Sequence, residues 1–240
     1  AGNKKQVISL DRAHYSSPAL SPDRTKICYV TTHSTDSYGV WWKNGTVTRG
    51  QGTWERVESE FEQEWLSGTI LMAGSLIYSD IWVMNVDESN TTNIASGLDS
   101  SNAPPWPTWS LDGNTIVYLN STSLPGTHSE NIDIWIMDAN GRNKTQLTND
   151  SGYNLNPVMS PDGGKIVYMS GYPSCDNFDI WVVNSDGSHK KRLTHSPTTD
   201  FLHGWGVDGT RIVYKTLSTS EYIYTKEYNY DEESKIWIMD

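Results

Sequence analysis

Apolar residues in this chain come in short unbroken runs, neither strictly alternating nor spaced for a helix face. The run Ile81-Trp82-Val83-Met84, opened by Asp80 and closed by Asn85, returns as Asp133-Ile134-Trp135-Ile136-Met137-Asp138, as Asp179-Ile180-Trp181-Val182-Val183-Asn184 and as Lys235-Ile236-Trp237-Ile238-Met239-Asp240. Runs this short, bounded by polar turn residues, predict strands rather than helices, and their lack of alternation predicts burial on both faces. A second apolar run precedes each of the middle copies: Ile116-Val117-Tyr118 after Asp112-Gly113, and Ile166-Val167-Tyr168 after Asp162-Gly163. No helix-length amphipathic stretch interrupts the series.

Each repeat therefore divides into four strands, a to d. Asp-Gly pairs join a to b and c to d, because tight hairpins need residues that tolerate positive φ. Four-stranded antiparallel sheets that recur and bury both faces predict an all-β chain forming a single β-propeller domain over residues 1–240. Strand a starts near Pro18, Pro107, Pro157 and Phe201, and the first interval is twice the others, which predicts a degenerate repeat at Glu64–Met72. The expectation is five blades, at about 18–60, 62–100, 105–150, 155–196 and 200–240 plus 1–10. Val40–Asn44 then serves as strand c and Trp54–Val57 as strand d of the first blade. The rival count is four, with residues 33–76 as one long insertion, which the rarity of long loops disfavours. Residues near Gln6-Val7-Ile8 resemble strand d (compare Thr145-Gln146-Leu147) and are expected to close the ring beside the C-terminal blade, removing exposed edges.

The unit Pro-x-Trp-Ser-x-Asp-Gly-x-x-Ile-Val-Tyr (Pro107–Tyr118), followed by Asp-Ile-Trp-Ile-Met-Asp (Asp133–Asp138) and Gln-Leu-Thr (Gln146–Thr148), resembles the TolB-like repeat, a relative of WD-repeat propellers. The resemblance runs over essentially the whole chain, and its motif residues carry turns and packing rather than chemistry. It implies a propeller like the periplasmic, protein-binding TolB, or like those that gate peptidases or serve as surface modules. TolB and its near relatives look six-bladed, so five blades here would be a departure.

Composition narrows the partners. Twenty-nine acidic against 18 basic residues leave a net charge of −11, which opposes electrostatic binding to nucleic acid or an acidic membrane. No apolar run reaches membrane-spanning length, so no direct membrane insertion is expected. Cys28 and Cys175 fall in separated blades and are not expected to pair. The sequons at Asn44, Asn90, Asn120, Asn143 and Asn149 favour an extracytoplasmic location (periplasmic, secreted or cell-surface) and permit glycosylation.

Candidate chemistry is sparse. There is no Gly-x-Ser-x-Gly elbow for a serine hydrolase, and the six histidines (His14, His33, His128, His189, His195, His203) lack zinc spacing. The stretches Asp138–Asn143 and Asn85–Asn90 imitate the start of a calcium loop but lack its closing acid, and are expected to be hairpin turns. No cofactor or metal is expected. Acids near blade edges (Asp36, Glu64, Asp99, Asp176, Asp200) keep a glycan-active enzyme open as a third reading. Aromatics concentrate in the connections that break the repeat: Tyr172 and Asp176 in one b–c loop, Tyr222, Tyr224, Tyr228 and Tyr230 in another, and Trp106 in a d–a loop, with Tyr15 and His203 near strand a. Tyrosine and tryptophan supply large amphipathic contact area at low entropic cost. The expectation is a non-enzymatic propeller binding a protein or peptide through its b–c/d–a face, with a carbohydrate ligand as the alternative.

Overall fold

A computed structural model describes residues 14–34, 38–43, 46–51, 69–74, 77–100, 103–123, 130–172, 177–216 and 235–239. Every regular element among them is a strand. In chain order these are β1 (His14–Leu20), β2 (Lys26–Ser34), β3 (Tyr38–Lys43), β4 (Thr46–Gln51), β5 (Thr69–Gly74), β6 (Ile77–Asn85), β7 (Thr92–Asp99), β8 (Thr108–Trp109), β9 (Thr115–Ser123), β10 (Glu130–Asp138), β11 (Thr145–Gln146), β12 (Tyr153–Met159), β13 (Lys165–Tyr172), β14 (Asn177–Asn184), β15 (Lys191–Arg192), β16 (Asp200–Trp205), β17 (Ile212–Thr216) and β18 (Lys235–Met239).

Antiparallel pairing groups these strands into units. Unit 1 is β1-β2-β6-β7, unit 2 is β8-β9-β10-β11, unit 3 is β12-β13-β14-β15, and unit 4 shows β16-β17-β18. Units 1 and 2 are bridged by the single pair Asp99 with Ser121 and units 2 and 3 by Ile132 with Tyr153, while β16-β17-β18 forms a separate sheet.

One part of the expected strand assignment is corrected. The third strand of unit 1 is Ile77–Asn85, which pairs with β2 over nine positions from Lys26↔Asn85 to Ser34↔Ile77. The described part of the expected strand, within β3 (Tyr38–Lys43), belongs instead with β4 and β5 in a separate three-stranded sheet. The cause is burial, since the repeated phrase at Ile81 and Met84 is the segment that seals unit 1. Trp54–Val57 and residues 64–68 lie outside the described residues.

In units 1 to 3 strands b and c are buried on both faces, as their unbroken apolar runs predict, whereas β18, strand c of unit 4, is exposed. Successive side chains of β9 part in opposite directions: Ile116 and Tyr118 pack with Cys28, Val30 and Ile81 of unit 1, whereas Val117 and Leu119 pack with Ile166 and Tyr168 of unit 3. Likewise Val167, Met169 and Ile180 of unit 3 meet Leu202 and Ile212 of unit 4. Each such side chain removed from water contributes about 1.5–3 kcal/mol. Cys28 is buried with a free thiol, pushed up to about 12 by desolvation. No helix among the described residues is long and apolar enough to cross a membrane.

Candidate functional site

The a–b turns, although predicted only as structural corners, build a concave site. In unit 2 the Ser110 hydroxyl accepts from the Thr115 amide (3.0 Å) and donates to Asp112 (2.5 Å), while the Gly113 amide donates to the Ser110 carbonyl (3.0 Å). Ser21 with Asp23 and Ser160 with Asp162 repeat this pattern in units 1 and 3. In unit 4 Gly206 stands in place of the serine, and Asp208 still accepts from the Thr210 amide at 3.1 Å. These hydrogen bonds hold all four turn carboxylates below the usual range; for Asp23, whose chief partner is the Ser21 hydroxyl, the value falls to about 2.

The residue between the serine (or Gly206) and the aspartate is apolar in every unit: Pro22, Leu111, Pro161 and Val207. Together with the ends of the four a strands (Leu20, Trp109, Met159 and Trp205) these residues line one cavity of about 420 Å³. Leu20, Leu111 and Val207 are exposed, so the cavity is an open apolar mouth where all four units converge. Two tryptophans hold its wall. The Trp109 indole donates to the Ala19 carbonyl of unit 1 at 3.1 Å, and the Trp205 indole donates to the Val158 carbonyl of unit 3 at 3.0 Å. Proline and glycine fit there too: Gly209 rests against the Pro161 ring of the preceding unit, with positive φ and no room for a larger residue without adjustment.

A second feature repeats between units, on the strand-c aspartate. Asp133 accepts from the Thr148 hydroxyl (3.0 Å), the Gln146 amide (3.1 Å) and, across the unit boundary, the Asn154 amide (3.4 Å). Asp179 accepts from Arg192 (2.6 Å) and Thr194 (3.4 Å), but the position matching Asn154 is Asp200. Asp200 is buried. One of its oxygens accepts from the Thr216 hydroxyl at 2.6 Å, and the other has no partner.

The sequence-predicted contact residues fall elsewhere. Trp106 is exposed in the d–a connection before β8, with φ of 39°. Tyr172 is exposed at the end of β13, its hydroxyl 3.1 Å from that of Ser151. His203 is exposed in β16, at the irregularity in its pairing with β17. These three stand on three different units. Tyr15 lies in β1 opposite Thr31, its side chain outside the described ones, and Asp176, Tyr222, Tyr224, Tyr228 and Tyr230 lie outside the described residues altogether. Of the acids expected near blade edges, Asp99 ends β7 and Asp200 is buried, while Asp36, Glu64 and Asp176 are outside the described residues. The two calcium-like stretches are hairpin turns, closed by Asn85 N–H to the Ser89 carbonyl (2.9 Å) and Asp138 N–H to the Arg142 carbonyl (2.9 Å). Among the described residues no cluster of three metal-ligating side chains occurs. Of the mouth residues, Pro22 and Pro161 are ordinary turn formers, whereas Leu111 and Val207 are exposed apolar residues at the same turn position.

No protein-family model and no curated protein matches this chain. Solved structures do. TolB from Acinetobacter baumannii superposes over 98% of this chain and 42% of its own, at 22% identity and a TM-score of 0.53. The β-propeller domain of the Trilobed protease from Pyrococcus furiosus matches 95% of this chain and 54% of its own, at 11% identity and a TM-score of 0.53. An oligogalacturonate lyase from Vibrio parahaemolyticus matches 87% of this chain and 49% of its own, at 12% identity and a TM-score of 0.51. At these identities the likeness shows the fold, an all-β, TolB-like β-propeller arrangement, and the chain spans roughly half the length of these structures or less.

Proposed function

We propose that this is a non-enzymatic, extracytoplasmic propeller domain that docks a protein or peptide, and that the docking surface is the apolar mouth at the a–b turns. The observation that carries the reading is the agreement of four units: each places an apolar residue at the same turn position around one cavity of about 420 Å³. Exposed apolar surface of this kind is costly to keep unless something covers it. The turn acids beside it are already tied into their own backbone, so they offer structure rather than acid–base work. The exposed sequons at Asn90, Asn143 and Asn149 support an extracytoplasmic setting.

Selection from a displayed peptide library tests this, with the Leu111→Asp/Val207→Asp variant as counter-target. Peptides enriched on the native protein should lose at least about tenfold in affinity on the variant, an order set by two charges placed in an apolar contact. Peptides that bind both proteins equally would move the site to the b–c/d–a face carrying Trp106 and Tyr172. Glycan-array binding without any peptide enrichment would favour the carbohydrate alternative, and turnover of a bound glycan would make the chain an enzyme.

The same reading takes the ring as four units, in place of five, with residues 38–74 as an inserted sheet, and takes residues 2–9 as the missing fourth strand of unit 4. Two observations support closure. Ile236 and Ile238 of β18 are 75% and 65% exposed, whereas Ile81, Ile134 and Ile180 at the first of those positions are fully buried. The pattern Gly2-x-x-Lys5-x-x-Ile8-Ser9 also repeats Gly141-x-x-Lys144-x-x-Leu147-Thr148 and Gly187-x-x-Lys190-x-x-Leu193-Thr194.

A further inference from the structure

The boundary between units 3 and 4 differs from that between units 2 and 3 at two matching positions, Asp200 in place of Asn154 and Arg192 in place of Gln146. At the 2/3 boundary a carboxylate, Asp133, faces an amide, Asn154, which donates to it at 3.4 Å and to the Ile132 carbonyl at 3.1 Å. At the 3/4 boundary Asp200 takes the position of Asn154, near enough for its charge to act on Asp179, and both are buried. Arg192 engages Asp179 at 2.6 Å, and Thr194 donates to it at 3.4 Å. Thr216 satisfies one oxygen of Asp200 at 2.6 Å and leaves the other with no hydrogen-bond partner. The groups facing the pair are therefore Arg192 and Thr194 from the unit 3 side, and Thr216 and Tyr214 from β17. Among the described residues, one cation stands against two carboxylates.

We propose that Asp179 and Asp200 form a proton-binding pair at the 3/4 boundary, holding one proton between them and tightening the docking of unit 4 as the medium turns mildly acidic. Two carboxylates in one poorly solvated place cannot both ionise without large cost, and a shared proton converts their repulsion into a hydrogen bond. Burial and the Asp200 charge push Asp179 upward against the pull of Arg192, and Tyr214 is raised by desolvation and by the same Asp200 charge. The sign follows from proton counting. A carboxyl raised in the folded state binds more protons there than in the unfolded chain. Stability is then full below the unfolded carboxylate range and falls as pH rises through the folded value. The four turn aspartates are lowered, so they act in the opposite sense and in a separate, more acidic window. This proposal does not rest on the docking function.

Thermal unfolding of the full chain at pH 5 and pH 8, native against Asp200→Asn, tests it. The substitution installs the Asp–Asn arrangement of the 2/3 boundary. It should raise the unfolding midpoint at pH 8 by roughly 2–4 °C, the shift a small stabilisation gives in a chain of this size, and by clearly less at pH 5. The reverse change, Asn154→Asp, should create a pair with Asp133 and lower the midpoint more at pH 8 than at pH 5. A carboxyl carbon NMR titration supplies the local readout: the Asp179 midpoint should lie above the ordinary carboxylate range and drop back in Asp200→Asn. An Asp179 midpoint unmoved by the substitution, or a midpoint change equal at both pH values, would overturn the proposal. So would an Asp200→Asn chain that fails to fold at pH 8.

Discussion

In three of the four a–b turns one serine hydroxyl closes the corner, accepting from the backbone amide five residues on and donating to the aspartate two residues on. Ser110 is buried, so Ser110→Ala leaves the Thr115 amide and the Asp112 carboxylate each short of a partner. Chemical denaturation should find it about 1–2 kcal/mol less stable, the usual cost of one unsatisfied buried donor. The turn aspartates also set the acid limit of the fold. Their pKa values are lowered on folding, so their stabilisation is fully present above about 3.8 and for Asp23 is lost as pH falls through about 2. Unfolding followed by circular dichroism should show this loss below pH 4, and Asp23→Asn should remove part of it. At the sequons, burial decides: Asn90, Asn143 and Asn149 are exposed, while the side-chain oxygen of Asn120 is buried without a partner. Expression in a glycosylating host followed by peptide mass spectrometry should find glycan at the first three positions and none at Asn120.

Strand identity was legible wherever the apolar phrase is intact, because burial on both faces leaves a sequence mark that outlasts drift in the turns. Ile134 and Ile180 are both fully buried, at matching positions of β10 and β14. The inserted sheet stood in the sequence only as the disfavoured rival count, for a physical reason. Glu64–Met72 imitates strand a locally, but the long-range partner of β2 is the segment that carries Asp80-Ile81-Trp82. Loop closure costs grow only logarithmically with length, so a long excursion does not stop β2 and β6 from pairing. The mouth residues were hidden for the opposite reason, since a lone apolar residue in a turn has no periodicity and gains meaning only when four turns converge. The turn of unit 2 gives a further test at this scale. A Cβ on Gly141 would come within 2.6 Å of the Ile94 carbonyl oxygen and 2.9 Å of its Cα, in a backbone with φ of 81°. Gly141→Ala should therefore destabilise the chain by about 1–3 kcal/mol through overpacking at the 1/2 boundary, measurable by urea unfolding.

At the scale of the whole molecule, the closure proposal has a defined register. Trp135 pairs with Gln146 and Trp181 with Arg192, each one residue before the leucine whose amide donates to strand c at 2.8 Å. Carried to unit 4, this register sets Val7 opposite Trp237 and brings the Ile8 amide to the Ile236 carbonyl. Directly opposed positions of an antiparallel pair lie within the span a disulfide bridges. The double variant Val7→Cys/Trp237→Cys, made with Cys175→Ser, should then form an intramolecular disulfide under mild oxidation. Cys28 does not interfere, because its buried thiol is pushed up to about 12 and holds almost no thiolate. Non-reducing electrophoresis should give a monomer of raised mobility, and the oxidised form should unfold at higher temperature than the reduced one. A control with Lys4→Cys in place of Val7→Cys should link far more slowly, since it is displaced from Trp237 along the strand. Disulfide-linked dimers in place of monomers would show that β18 takes its strand from a second copy. Equal linking by both pairs would mean that residues 2–9 pass β18 without pairing to it.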